Sequence, residues 1–254
     1  MNKLSVLIPS FNSEKYIRAA LKSVKWADEI FVCDSFSTDK TLAIAKEYGA
    51  RIVQHEYVNS AAQTNWAIPQ CRHEWVLIVD TDEILEPGLK EEILQILETN
   101  DQKVNGYKIP RKNFIYGKWM RYGGIYPDYQ LRLFRREKGR FNPRSVHAQA
   151  EVKNGVGILK HHLLHEGFKD LRTWMPKLDR YTDYEAAELR KKREKFNPVK
   201  IILFPLLVFL RTYFIKLGFL EGYRGFLLAV LNGIYYFLMY AKFLEKERLK
   251  QNPA

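Results

Sequence analysis

The chain predicts an α/β fold, a Rossmann-like and mostly parallel sheet with helices on both faces, followed by a C-terminal helical region of membrane-associating character. Three observations carry this reading. Short apolar runs alternate with amphipathic stretches over the first hundred residues, carboxylates stand where those runs end, and two longer apolar segments lie near the C-terminus. Strands separated by helices imply parallel pairing, because a crossover between parallel strands needs a dozen or more residues.

In order, residues 4–8 read as the first strand and residues 14–24 as a helix whose Tyr16, Ile17, Ala20, Leu21 and Val24 share a face. Residues 29–33 and 51–54 are further strands, with a helix at 39–48 between them. The run Trp75-Val76-Leu77-Ile78-Val79 is apolar on both sides, as a central strand should be. Pro87 opens a helix, where its missing amide proton costs nothing, and Leu89, Ile93, Ile96 and Leu97 follow at helical spacing. From about residue 105 the texture changes: residues 106–111 and 130–134 read as strands, and the aromatic, glycine-rich loop 117–127 between them is long enough to be functional. Residues 170–192 predict a helix striped by Leu171, Trp174, Met175, Leu178 and Tyr181. The apolar runs 201–210 and 226–241 complete the chain, which divides into expected domains 1–165 and 166–254.

With 46% apolar residues the chain can build a sizeable core. Cys33 and Cys71 lack metal-ligand spacing and read as buried thiols of a reducing compartment. Met1-Asn2-Lys3 leads straight into the first strand and leaves no room for a cleavable signal, so a cytoplasmic location is expected. The net charge of +12 points to an anionic partner, with +7 of it in residues 161–254. Residues 190–195 form the densest basic run and lie beside the first apolar run, which favours a membrane surface. Run 201–210 is too short to cross a bilayer, and extension to Leu220 takes in Arg211 and Lys216, so it reads as an interfacial helix with a kink at Pro205. Run 226–241 contains Asn232 and Gly233 and leaves an in-plane helix and a tilted span both open; a buried helical pair or a dimer interface is the alternative. A basic nucleic-acid-binding protein is the reading from another class. The basic residues gather beside apolar runs instead of along an aromatic platform, so no nucleic-acid partner is expected.

The chemistry is concentrated at three strand ends: Pro9-Ser10-Phe11-Asn12, Asp34-Ser35-Phe36-Ser37-Thr38-Asp39 and Asp80-Thr81-Asp82-Glu83. Ligands of open α/β sheets bind at such ends. Asp80 and Asp82 alternate, so in extended chain they share a side, and hard oxygen ligands of this kind suit Mg²⁺ or Mn²⁺. A glycosidase would also use two carboxylates, but this strand-end pattern suits a phosphate-bearing ligand better.

The order and spacing of these ends, with Gln63-Thr64-Asn65-Trp66-Ala67, resemble the family 2 glycosyltransferases over roughly residues 3–165. Residues 126–135, Tyr-Pro-Asp-Tyr-Gln-Leu-Arg-Leu-Phe-Arg, are similar to a bacterial subgroup that includes lipopolysaccharide core glucosyltransferases. The resemblance implies a GT-A fold and inverting transfer of a hexose, glucose or a related sugar, from a UDP-sugar to a lipid-linked saccharide at the cytoplasmic face of the inner membrane; a soluble or protein acceptor is the alternative. It implies that Asp34 faces the donor base with the turn from Pro9 to Asn12 beside it, that Asn65 lies in the donor site, that Asp80 is near the ribose, and that Asp82 holds a Mg²⁺ or Mn²⁺ ion on the diphosphate. His147 or His165 would complete the metal shell or line the acceptor site, and Arg132 and Arg135 are candidates for the diphosphate. Inversion requires a base opposite the leaving group. Asp128 is the candidate, with Glu83 and Glu151 in reserve, and Trp119, Tyr122 and Tyr126 are candidates for stacking on a sugar. Two departures stand out: Ser35-Phe36 replace the commoner Asp-Gly after Asp34, and Ala148 follows His147 where the subgroup carries an acid.

Overall fold

Apolar strand β1 (Leu4–Ser10) lies between β2 (Glu29–Asp34) and β4 (Trp75–Ile78), parallel to both, and β3 (Arg51–Gln54) continues the parallel array beyond β2. The computed structural model describes residues 2–99, 101–142, 148–192, 194 and 197–251. The connections are helical: α1 (Ile17–Ser23), α2 (Thr41–Glu47) and α3 (Ser60–Ala67), the last continued by a 3₁₀ turn at Ile68–Gln70. After β4 come the short β5 (Glu83–Leu85), α4 (Pro87–Thr99), β6 (Gly106–Ile115), β7 (Lys118–Trp119) and β8 (Asp128–Arg135). The remaining strands are β9 (Gly139–Phe141), β10 (Ala150–Val152), β11 (Val156–Ile158) and β12 (Leu163–Phe168).

The main sheet runs β3-β2-β1-β4-β8-β6-β12-β5, with β7 and β11 on β6, and β9 pairs with β10 separately. It is therefore mixed: β8 runs antiparallel to β4 and to β6, which it follows through a loop and not through a helical crossover, while β11 runs parallel to β6. Alternating residues of each strand bury opposite faces. Val6, Ile8, Val32 and Leu77 pack with Ile17, Leu21, Ile44 and Leu89 on one side; Leu7, Phe31, Cys33 and Val76 pack with Ala67, Ile68 and Cys71 on the other. Each such aliphatic side chain contributes about 1.5–3 kcal/mol by leaving water. Burial pushes the free Cys33 and Cys71 thiols up to about 11 and about 12, so both stay protonated.

The chain forms two compact units, one of Met1–Lys112 and Asp128–Glu166, the other of Asn113–Pro127 and Gly167–Ala254. The second unit is helical. Asp170 caps α5 (Leu171–Lys191) by accepting from the Thr173 amide, and Asn197 caps α6 (Pro198–Leu210) by accepting from the Val199 amide. A π-helical turn, Arg211–Ile215, prolongs α6, a 3₁₀ turn at Gly218–Glu221 forms the corner, and α7 (Tyr223–Gln251) returns. The helix runs on past the apolar residues 201–210: with the π turn it covers 18 residues, Pro198–Ile215, long and apolar enough by length and composition to cross a membrane, as is the 23-residue Tyr223–Glu245. The two helices cross closely because Gly233 lets the Pro205 carbonyl within 3.2 Å of where a Cβ would stand.

Candidate active site

At the end of β1, Asn12 takes a left-handed backbone conformation, φ 44°, and ties the first two strand ends together. Its amide donates to Ser37 Oγ (2.8 Å) and its Oδ1 accepts from the Thr38 amide (2.8 Å). Asp34, fully buried at the end of β2, accepts from Ser10 Oγ (2.9 Å), the Ser37 amide (2.8 Å) and Gln54 Nε2 (3.3 Å). It thus holds the turn on which the exposed rings of Phe11 and Phe36 stand. Pro9 pairs in register with Cys33 just inside this turn. The third strand end is fastened to the first by Thr81 Oγ1, 3.1 Å from Ser13 Oγ.

Beyond β4 the chain turns sharply: the Glu83 amide donates to the Asp80 carbonyl (2.9 Å), and the Asp80 amide to Glu83 Oε2 (3.0 Å). From this turn a chain of alternating charges runs across the sheet. Arg132 Nη2 lies 2.5 Å from Asp80 and 3.0 Å from Glu83; Arg111 reaches Glu83 at 3.1 Å and Asp128 at 2.7 Å. Gln130 Nε2 donates to the other oxygen of Asp128 (2.5 Å). Glu83 is buried, and burial alone would raise its pKa; the charges of Arg132 and Arg111 outweigh that and leave it below the ordinary carboxylate range. The same balance acts on Arg132: burial opposes its charge, and Asp80 and Glu83 drive its pKa above the usual guanidinium value.

The position of Arg132 has a local cause. Leu133 pairs with Tyr107 and Leu131 with Lys108, so Arg132 is the extra residue of a β-bulge, and the bulge turns its side chain toward Glu83. Its Nε is buried and has no partner among the described residues. Asp82 points elsewhere: antiparallel pairing of β12 with β5 sets His165 opposite Glu83 and brings its Nε2 to 3.7 Å from Asp82 Oδ2, both side chains about one-fifth exposed.

A sequence model of the Glycosyl transferase family 2 matches residues 5–153, more than half of the chain. The chain belongs to glycosyl transferase family 2. It is 29% identical to a lipopolysaccharide core biosynthesis glycosyltransferase of Rhizobium meliloti over 98% of this chain and 95% of that one. A poly(ribitol-phosphate) beta-N-acetylglucosaminyltransferase of Staphylococcus aureus is 32% identical over 45% of this chain and 23% of its own. Among solved structures, the mannosyltransferase PcManGT of Pyrobaculum calidifontis, determined with GDP-Man and Mn²⁺, aligns with a TM-score of 0.59 at 15% identity, over 97% of this chain and 88% of its own. That likeness is one of fold, and the architecture is of the GT-A type.

In this family 2 glycosyltransferase the expected site residues separate into groups. Asp80, Asp128 and Arg132 meet in the charge chain, with Glu83 as its buried centre. Pro9, Asn12 and Asp34 build the neighbouring turn. Asn65 spends its side chain on Phe141, donating to the carbonyl (2.9 Å) and accepting from the amide (2.8 Å), and so pins β9. Arg135 is not brought to the cluster. Because β8 runs antiparallel to β4, Arg135 lies opposite Trp75 at the far end, where it pairs with Glu74 and stacks over the indole at 4.7 Å. Glu151 is exposed on β10 and accepts from Asn142 (3.2 Å). His147 lies outside the described residues. Trp119 packs edge-on against Tyr126 (5.2 Å between centroids), and Tyr122 stands exposed beside them in sequence. Sequence reasoning missed Arg111; the available signal was its place at the end of a predicted strand directly before the loop that leads to Asp128, its register partner.

Proposed function

We propose that this glycosyltransferase is an inverting, metal-dependent enzyme that moves a hexose, glucose or a related sugar, from a UDP-sugar to a lipid-linked saccharide in envelope glycan assembly of the lipopolysaccharide core type, at the cytoplasmic face of the inner membrane. The observation that carries the reading is the continuous charge chain from Asp80 to Asp128, which holds the Asp82 turn and a separate carboxylate in one rigid frame. The similarity over nearly the whole chain to a lipopolysaccharide core biosynthesis glycosyltransferase supports the acceptor class.

Asp82 offers an oxygen that suits Mg²⁺ or Mn²⁺ with phosphate and water oxygens completing the shell, and the His165 imidazole 3.7 Å away would favour Mn²⁺ of the two. No cluster of three or more His, Cys, Asp or Glu side chains gathers among the described residues, so a substrate-completed shell is the arrangement that fits. When bound, such an ion offsets the charge that develops on the leaving nucleoside diphosphate. The protein's own groups do the rest. Asp34 and the turn from Pro9 to Asn12 shape the base site, Asp80 lies toward the ribose, and the unpaired Nε–H of Arg132 is a donor for a phosphate oxygen. Arg111 orients Asp128 through two donors on one carboxylate oxygen, and Asp128 takes the proton of the attacking hydroxyl on the face opposite the leaving group.

The test is a nucleotide-sugar screen by thermal shift with and without Mn²⁺, followed by transfer assays on the Asp82→Ala variant. A UDP-hexose should raise the melting temperature only with the metal present, and Asp82→Ala should abolish that dependence while remaining folded. A folded Asp82→Ala enzyme with unchanged metal-stimulated transfer would remove the assignment.

A further inference from the structure

We infer that the α6–α7 hairpin is an in-plane anchor that offers α6 to an anionic lipid surface and keeps its corner and its open end on the same side of the bilayer. This deepens the membrane-linked reading above and rests on it.

The layer has a built-in polarity. Phe226, Gly233 and Tyr240, seven residues apart on α7, meet Phe209 (5.8 Å), the Pro205 carbonyl and Phe204 (5.4 Å) of α6. Lys242 is two residues past Tyr240, about 200° further round the helix. It binds Asp179 (2.6 Å) and Asp183 (3.1 Å) of α5. So α7 lies between a charged helix and an apolar one. The other side of α6 is apolar too: Val199, Ile202, Leu203, Leu206, Leu207 and Leu210 are exposed, Ile202 by 78%. Past Lys200 every residue of α6 is apolar, and a helix apolar all round belongs in a core or in lipid.

Charge selects the occupant. Nine basic and two acidic side chains lie between Arg190 and Arg224. Exposed Lys191, Lys192, Arg211 and Lys216 are among the basic ones. Two copies meeting through this face would oppose like charges, whereas anionic headgroups complement them.

Chain reach fixes the orientation. At the corner, Arg224 donates to the carbonyls of Ile115 (3.1 Å) and Tyr116 (3.2 Å), Glu221 accepts from the amides of Arg121 (2.7 Å) and Tyr122 (3.1 Å), and the Gly123 amide donates to Lys216 O (2.8 Å). Ile115 ends β6, four residues after Arg111, a stretch that reaches at most about 14 Å. At the open end, Asp179 stands eleven residues past Phe168, the end of β12; three extended steps and eight helical ones reach at most about 23 Å. Ile115 and Asp179, which hold the two ends, are thus joined to Arg111 and Phe168 by chain that spans less than the ~30 Å of a hydrocarbon core. A hairpin crossing the bilayer would carry one of its ends to the far face. Length and composition alone permit a span; the attachments do not.

The experiment uses full-length protein carrying Phe219→Cys at the corner or Ile202→Cys on the outer face of α6, with the parent chain, whose two thiols are buried, as background control. Binding to vesicles of phosphatidylglycerol and phosphatidylethanolamine, compared with vesicles of phosphatidylcholine, should be at least tenfold tighter. A fluorophore on Ile202→Cys should be shielded from iodide only when anionic lipid is bound. In membrane vesicles of both orientations, an impermeant maleimide should label Phe219→Cys only from the cytoplasmic face. Labelling from the outer face would overturn the in-plane geometry while leaving membrane attachment standing. Failure to bind either vesicle type, with iodide still reaching Ile202→Cys, would overturn the lipid occupant and the membrane-linked reading with it. Concentration-dependent shielding without lipid, matched by dimers in sedimentation equilibrium, would assign the face to a second copy.

Discussion

Arg132, Glu83 and Arg111 are charges withdrawn from water and matched one against the next, whereas α6 leaves Ile202, Leu206 and Leu210 exposed among the described residues. Withdrawing ions from water is expensive, and the cost is offset only if every partner is present. Exposing apolar surface is unfavourable in the other sense, and is relieved only from outside. The charges of the strand-end cluster are therefore matched within the polypeptide, whereas the apolar face of α6 is left open to what surrounds it.

Arg132→Met tests the first half hardest. It leaves the buried Glu83, and with it the half-exposed Asp80, without their shared cation, so urea unfolding should show a loss of about 3–5 kcal/mol, partly restored by adding Glu83→Gln. A loss below about 1 kcal/mol would mean that the cluster is solvated. The pH dependence has a definite sign: since the folded pKa of Glu83 is lowered, its contribution is present above the unfolded carboxylate value of about 4.3 and disappears as pH falls through the folded value. Acid unfolding of Glu83→Gln should accordingly be flatter below about pH 4.3.

Asp128→Asn should lower transfer by about 10² to 10⁴ with donor affinity retained, as removal of a positioned base does. Donor binding lost in parallel with turnover would instead make Asp128 a frame residue.

In the helical unit, Glu221→Gln replaces a carboxylate held below its ordinary pKa; its burial is outweighed by Lys118 and by the amides of Arg121 and Tyr122. The cost should be about 1.5–3 kcal/mol, measured by urea unfolding, with faster proteolysis in the loop 113–127 as a second readout. Smallest in stability is Ile202→Asp, within about 0.5 kcal/mol in lipid-free buffer because the site is already open to water. Its effect should surface only as weaker vesicle binding, and a large destabilisation in buffer would show that α6 packs against something in solution.

What the sequence revealed depended on the range of the interaction. Trp75 to Val79 read as a central strand because burial on both faces writes itself into consecutive residues, and Asp82 stood out as a carboxylate just past that run. Asp170 and the stripe through Leu178 gave α5 almost to the residue. Register is not written locally. That His165 comes beside Asp82 follows from β12 pairing with β5, eighty residues away in the chain. That Arg132 turns inward while Arg135 is carried to the other end follows from one bulge and one antiparallel pairing. The continuation of α6 past Arg211, read from the sequence as an interfacial helix reaching Leu220, takes the form of a π turn that no local pattern announced.

Arg111 and Asp128 face each other in the β6–β8 ladder, and the fifteen residues Asn113–Pro127 between them group with the helices and not with the sheet. Their ion pair therefore works as a clasp on an excursion. A clasp is indifferent to what hangs from it: the excursion can change in length or composition without moving either strand residue, provided the helical corner that grips it through Glu221 and Arg224 changes in step. Such an excursion is portable as a unit. Exchange of the loop alone should leave it ungripped, and exchange of loop and corner together should restore the contacts of Glu221 and Arg224.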